Sequence, residues 1–168
     1  MRQTPRTRKE NMMNAHAAMM MSKGCKVVIL RGISGSGKST YTKKNHPTAL
    51  ICSADDFFIC KDGVYRFDAK QLGEAHKWCM NRFVHSCMQN LPEIVVDNTN
   101  TQLWEMSGYV QVAESQGYEV QIVRMETPVS LCAERNTHGV PLKAVQGMAD
   151  RFQKVLPWWK ETVVKGTE

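Results

Sequence analysis

Apolar positions in this chain come in short runs that switch period, and the switches predict its elements. Val27-Val28-Ile29-Leu30 is unbroken, the pattern of a parallel strand buried on both faces, so a strand is predicted over Lys26–Arg31. A glycine-rich stretch follows, then a short polar helix to about Asn45, which Pro47 stops. Residues 49–53 read as a second strand, delivering Ser53-Ala54-Asp55-Asp56 at its end. Across 57–68, Asp62-Gly63 separates two aromatic-aliphatic runs and predicts a small hairpin or ordered loop that could overhang the strand ends. Asp68 can cap a helix over 69–90, in which Leu72, His76, Cys79, Phe83 and Cys87 recur every three or four residues. Glu93–Asp97 is a third strand. Thr101 is the expected cap of a helix to Gln116 with Leu103, Met106, Val110 and Ala113 on one face, closed by Gly117. Residues 118–125 form a fourth strand and 130–136 a short helix, broken at His138-Gly139-Val140-Pro141. Pro141 opens a last helix running to Pro157, with Trp158 and Trp159 as packing anchors.

Strands alternating with helices at this spacing predict an α/β fold, a three-layer sandwich with a parallel sheet between helices. In such sheets ligands bind at the carboxyl ends of the strands. The glycine-rich stretch, Asp55 and Asp97 all fall there, so one cleft should gather them.

Gly32-Ile33-Ser34-Gly35-Ser36-Gly37-Lys38-Ser39 fits G-x-x-x-x-G-K-[ST], the phosphate-binding loop of P-loop NTPases, and stands between a strand and a helix as that loop must. A triphosphate needs many donors within reach. Glycines let backbone N–H groups turn inward with no Cβ in the way, and the helix that follows aims its positive end at the phosphates. Lys38 can reach the β- and γ-phosphates, and the Ser39 hydroxyl can ligate Mg²⁺. The expected nucleotide-binding set is Gly32, Ser34, Gly35, Ser36, Gly37, Lys38, Ser39 and Thr40, with ATP as substrate and Mg²⁺ as cofactor.

Three further places carry candidate chemistry. Asp55 and Asp56 follow a strand by two residues, where a carboxylate can take the proton of an attacking hydroxyl, hold Mg²⁺ through water, or simply cap a turn. Asp97 ends an apolar strand in the manner of a Walker-B element and is, with Ser39, the candidate metal position. Asn98, Thr99 and Asn100 add polar side chains at the same rim; Asp56, Thr99 and Asn100 are the expected acceptor-binding residues. Arg135 reads equally as a lid arginine matched to phosphoryl oxygens or as a solvated helix residue, and Arg151 is a weaker candidate.

Charge qualifies the choice of acceptor. Of the net +6, Arg2, Arg6, Arg8, Lys9 and Lys23 against Glu10 place +4 in residues 1–24, leaving +2 for residues 25–168. The expected organisation is a disordered basic leader over 1–24 and one domain over 25–168. A phosphate-tracking groove is usually more basic than +2 suggests. No run reaches the roughly 18–20 apolar residues of a membrane span. The six cysteines include no C-x-x-C pair, which suggests reduced thiols and a cytoplasmic setting.

Taken together, G-x-S-G-S-G-K-S-T, S-A-D-D, V-V-D-N-T-N, E-R-N-T-H-G-V-P and M-x-x-R-F, in that order from about Lys26 to Gln153, resemble the polynucleotide-kinase group of P-loop kinases. The resemblance implies a nucleoside-kinase-like P-loop fold with a helical lid. It implies Asp55 as general base for a 5′-hydroxyl, Lys38 and Ser39 as phosphate and metal residues, and Arg135 as the lid arginine. The bacteriophage member has an arginine three residues after its base, on the acceptor 3′-phosphate; Phe58 stands there in this chain. The expected activity is ATP- and Mg²⁺-dependent transfer of the γ-phosphate to a hydroxyl, with the 5′-OH of a nucleic acid favoured. The alternatives are a small-molecule kinase and a nucleotide-binding interaction module without turnover.

Overall fold

A computed structural model describes residues 24–137 and 139–166. Most of the leader, residues 1–23, lies outside the described residues, as does His138. Strand β1 (Lys26–Arg31) leads through the glycine loop to helix α1 (Lys38–Asn45) and strand β2 (Leu50–Cys52). A 3₁₀ turn (Ala54–Phe58), a hairpin and a second 3₁₀ turn (Ala69–Gln71) precede α2 (Leu72–Met88). Then come β3 (Glu93–Asp97), α3 (Leu103–Ser115), β4 (Glu119–Glu126), α4 (Val129–Arg135), α5 (Leu142–Asp150) and β5 (Glu161–Lys165).

All neighbouring strands pair in parallel, in the order β2-β3-β1-β4-β5. β1 is central and fully flanked, which is why its sequence carries no alternation. Its side chains nonetheless alternate between two cores. Val27 and Ile29 join Ile94, Val96 and Ile122 under α2 and α3, against Cys79, Phe83, Met106, Tyr109 and Val110. Val28 and Leu30 join Val95, Val123 and Met125 on the other face, with Tyr41 of α1 and Val164 of β5 against them. A third cluster seats α4 and α5 on the loop: Cys132 and Val145 pack with Ile33. Leu30 pairs with Asp97 on one side and Val123 on the other, so β1 and β3 end level at the cleft.

Four expectations need correction. The last helix ends at Asp150, short of Pro157, and the chain then adds a fifth strand that hydrophobic periodicity did not suggest. That strand is held from a distance: Arg31, fully buried, donates Nη1 to Glu161, Nη2 to the Gln153 carbonyl at 2.7 Å, and Nε to the Asn100 carbonyl at 2.9 Å. Phe152 lies against the guanidinium, its centroid 4.6 Å from Cζ. A buried arginine needs such partners for its donors, and the stretch after α5 supplies them. Trp159 packs as an anchor, whereas Trp158 is exposed. Gln102, not Thr101, caps α3; the Glu105 carboxylate accepts from the Gln102 N–H at 2.9 Å and from the Thr101 hydroxyl at 3.1 Å. Asp68 caps the 3₁₀ turn Ala69–Gln71, accepting from the Lys70 N–H, whereas α2 itself begins only at Leu72 with Gln71 at its N-cap.

Candidate active site

The phosphate loop is shaped by what its glycines allow. Gly32 donates its N–H to the Thr99 carbonyl at 2.9 Å, tying the start of the loop to the end of β3. Gly35, at φ 80°, lies so close to α4 that a Cβ there would run into the Cys132 carbonyl. Gly37, at φ 94° and ψ 14°, turns the chain into α1. No acidic residue of α1 itself stands in its first turn, whose positive end faces the loop. Ser36 is buried and its hydroxyl has no partner among the described residues, while its carbonyl accepts from Thr127 Oγ1 at 3.0 Å. Ser34 is half-buried, and Ser39 and Thr40 face outward on the first turn of α1.

Lys38 folds back into the loop, donating Nζ to the carbonyls of Gly32 at 2.9 Å and Ile33 at 3.1 Å. Loss of water around the ammonium pulls its pKa below the usual lysine value, against the opposing pull of Asp97 and then Asp55. Ser39 Oγ donates to Asp97 Oδ2 at 2.8 Å. Asp97 is only 9% exposed, and burial pushes its carboxyl above the usual range, while Lys38 and the Ser39 hydroxyl pull the other way. The negative charges of Asp55 and Asp56 add to the rise. Lys38, Ser39, Asp97 and Asp55 thus share one electrostatic neighbourhood at the strand ends, as the cleft expectation requires.

Asp55 lies exposed in the 3₁₀ turn after β2. Two contacts place that turn. Ser53 Oγ accepts the Asp55 N–H at 3.3 Å, and the buried Asn98 accepts the Ala54 N–H at 2.9 Å through Oδ1. The predicted hairpin forms: Cys60 N–H reaches the Val64 carbonyl, Arg66 N–H reaches the Phe58 carbonyl, and Ile59 bridges Tyr65. The hairpin brings the Tyr65 hydroxyl to Asp55 Oδ1 at 3.2 Å. Desolvation and the Asp55 charge push the Tyr65 phenol up to about 12, so it stays a donor at neutral pH.

The remaining candidates divide. Asp56 is engaged by Arg82 of α2 at 2.8 Å, at the edge of the same cleft. Thr99 is half-buried and its carbonyl holds Gly32. Asn100 does not present its side chain to the rim: it is 2% exposed and gives its amide to the Leu30 carbonyl at 2.7 Å, from a left-handed backbone at φ 45°. It is a structural clasp between β3 and β1. Arg135 ends α4, exposed, close enough for its charge to lower the pKa of the Cys132 thiol, which burial raises overall. Cys132 abuts Gly35, so α4, which Arg135 ends, packs against the phosphate loop. Arg151 points elsewhere, Nε to Thr101 Oγ1 at 3.3 Å.

Tyr65, Thr127, Arg82 and the structural use of Asn98 escaped sequence reasoning. Thr127, Arg82 and Asn98 act through partners distant in the chain, and only Tyr65, in the predicted hairpin and ten residues from Asp55, carried any positional signal.

The donor set suits a nucleotide phosphate and Mg²⁺. The loop offers backbone N–H groups, a lysine and a helix N-terminus, and the hydroxyl–carboxylate pair Ser39–Asp97 is of the hard-oxygen kind that Mg²⁺ takes alongside phosphate and water. Among the described residues no cluster of three or more His, Cys, Asp or Glu could hold a metal alone, so a cation here would rely on phosphate oxygens as well.

The chain belongs to the AAA_33 family, described as an AAA domain, a P-loop kinase family whose model matches residues 27–155. It is 38% identical over 139 residues to human NEDD4-binding protein 2, covering 78% of this chain but only 8% of that protein. Two solved structures have its fold. A chain of the Pnkp1/Rnl/Hen1 RNA repair complex superposes with a TM-score of 0.62 at 19% identity, covering 77% of this chain and 44% of that one. The APS kinase CysC of Mycobacterium tuberculosis, in complex with AMPPNP and APS, gives 0.55 at 18% identity, covering 86% and 90%. No helix of the described residues is long and apolar enough to cross a membrane.

Proposed function

We propose that this chain is an ATP- and Mg²⁺-dependent kinase that moves the γ-phosphate to the 5′-hydroxyl of a polynucleotide. The observation that carries the phosphotransfer is the placement of Asp55. It is an exposed carboxylate at the mouth of a phosphate loop, and its charge reaches both Lys38 and Asp97. A nucleotide-binding module without turnover has no use for a carboxylate held there by the Tyr65 hydroxyl, on a residue whose backbone N–H Ser53 Oγ accepts.

Each residue then has a task. The loop N–H groups and Lys38 bind the β- and γ-phosphates, with Lys38 exchanging its carbonyl partners for phosphate oxygens. Ser39 and Asp97 would hold Mg²⁺, which supplies charge neutralisation of the phosphates when bound. Asp55 accepts the acceptor proton as the hydroxyl oxygen bonds to the γ-phosphorus and the bond to the β,γ-bridging oxygen breaks, releasing ADP. The Tyr65 hydroxyl, donating to Asp55 Oδ1, orients the carboxylate that takes that proton. Arg135, carried on the lid, meets the charge on the transferring group. The lid seats directly on the loop through Cys132 and Ile33, so its closure and phosphate binding are coupled.

The choice of a polynucleotide rests on the ordered motifs shared with the polynucleotide-kinase group. The modest +2 charge of residues 25–168 and the near full-length match to APS kinase favour a small-molecule acceptor instead. Transfer from γ-labelled ATP, screened over 5′-OH DNA, 5′-OH RNA, nucleosides, gluconate and adenosine phosphosulfate, decides between them. The expected result is labelling of the oligonucleotides with the highest kcat/KM. Faster labelling of a small molecule overturns the polynucleotide reading.

A further inference from the structure

The wall beside Asp55 is aromatic. Phe58 is buried at its centre, with the Phe67 ring at 5.0 Å, Phe57 at 5.4 Å and Tyr65 at 6.1 Å, centroid to centroid. Phe57 carries the contact on to Trp78 of α2 at 6.2 Å. Phe67 is 54% exposed and Trp78 37%, with the Arg82 guanidinium carbon 5.6 Å from the Trp78 ring centroid, and Ile59 and Val64 are also exposed on the hairpin. Rings of this size bury a large apolar area when they can, so a linked set left open beside a polar site is a surface that something covers.

What covers it must meet two demands at once. The hairpin that carries this surface is fastened to the candidate base, because the Tyr65 hydroxyl donates to Asp55 Oδ1 at 3.2 Å. An occupant must therefore place a hydroxyl at Asp55 while laying a flat apolar face on the rings. A nucleotide does both, since its base stacks on an aromatic face with little regard to sequence while its sugar carries the 5′-hydroxyl. The position occupied by Phe58 is spent on building this wall rather than on a cation.

Building on the kinase reading above, we propose that Phe67 and Trp78 form a stacking subsite for the base of the acceptor's 5′-terminal nucleotide, so that acceptor choice depends on a ring and not mainly on phosphate charge. The subsite makes a terminal base part of what the enzyme recognises, and makes the identity of that base secondary.

The test uses the full chain and two 5′-OH oligonucleotides, one intact and one abasic at the 5′-terminal nucleotide. For the wild type, loss of the terminal base should raise KM about tenfold, within the range that stacking of one base supplies. Phe67→Ala should raise KM for the intact acceptor by a similar factor and erase the difference between the two. Phe67→Trp should restore it. Trp78→Ala is a second probe from a different element, and binding of a fluorescent ATP analogue checks that each variant retains its nucleotide site. Equal KM values for intact and abasic acceptors in the wild type overturn the subsite while leaving the polynucleotide reading standing. A base preference that survives both Phe67→Ala and Trp78→Ala does the same. Transfer to gluconate or adenosine phosphosulfate with none to either oligonucleotide overturns the polynucleotide reading and the subsite with it.

Discussion

Replacing Asp97 with asparagine should stabilise the ligand-free protein while impairing catalysis. The Asp97 carboxyl is pushed above its ordinary pKa by burial, even with Lys38 and the Ser39 hydroxyl already pulling the other way. A raised pKa means that at neutral pH the ionised side chain costs more in the folded than in the unfolded state, and the benefit from Lys38 is already counted in that balance. Asparagine removes the charge, keeps the shape, and can still accept from Ser39 Oγ through its own carbonyl oxygen. Each kcal/mol moves the midpoint of a domain this size by roughly 2–4 °C, so the stabilisation reads as a rise in the midpoint. The sign with pH follows. The folded state binds more protons than the unfolded between the ordinary carboxyl value and the raised one, so wild-type stability falls as pH climbs through that window. The advantage of Asp97→Asn should therefore be full at neutral pH and vanish below the ordinary carboxylate range. Thermal unfolding of both proteins without nucleotide or Mg²⁺, from acid to neutral pH, reads it. If Asp97 helps to hold Mg²⁺ as proposed, turnover should fall by roughly 10–100-fold, the scale of losing a group that orients a bound metal. A lower midpoint for Asp97→Asn at neutral pH would refute the reasoning, because it would mean that the pair with Lys38 outweighs the burial of the charge.

Other perturbations probe the loop, the lid and the leader. Lys38→Met should abolish transfer and leave the fold intact, since Nζ bonds only loop carbonyls; far-ultraviolet circular dichroism with a transfer assay checks both. Gly35→Ala should lower turnover, because its Cβ meets the backbone of Cys132 rather than a movable side chain and a left-handed residue is strained by any Cβ; a matched loss in kcat and in nucleotide affinity is the expected pattern. Thr127→Val removes the donor to the Ser36 carbonyl and should cost about 0.5–1.5 kcal/mol of stability by denaturant titration. Deleting residues 1–24 removes +4 and should raise the KM for oligonucleotide and flatten its salt dependence while leaving the rate at saturating acceptor unchanged.

Local signals were legible and distant pairings were not. The unbroken run Val27–Leu30, the glycine loop and the strand ending in Asp97 each declare themselves within a few residues, and the structure brings them together at the strand ends. Asp62-Gly63 announced the hairpin for the same reason, through turn chemistry. The fifth strand could not be read that way. It is an edge strand whose place is fixed by Arg31, more than a hundred residues earlier, and an arginine closing an apolar run gives no hint that it is buried. Asn98 and Asn100 look alike in sequence, two polar residues after a strand. Their opposite uses, one accepting from Ala54 and the other donating to Leu30, follow from which neighbouring segment each faces. The overhanging hairpin was legible from Asp62-Gly63, but that its Tyr65 hydroxyl would meet Asp55 was not.

The most direct measurement of the central claim compares Asp55→Asn with the wild type in two readouts, phosphate transfer to a 5′-OH oligonucleotide and equilibrium affinity for ATP. Asparagine keeps the shape and can still accept from Tyr65, but it cannot take the acceptor proton. Turnover should fall by roughly 10²–10⁴-fold while ATP affinity stays within a few-fold. Turnover within a few-fold of wild type, with ATP affinity lost, would contradict the account and make Asp55 a nucleotide or metal residue.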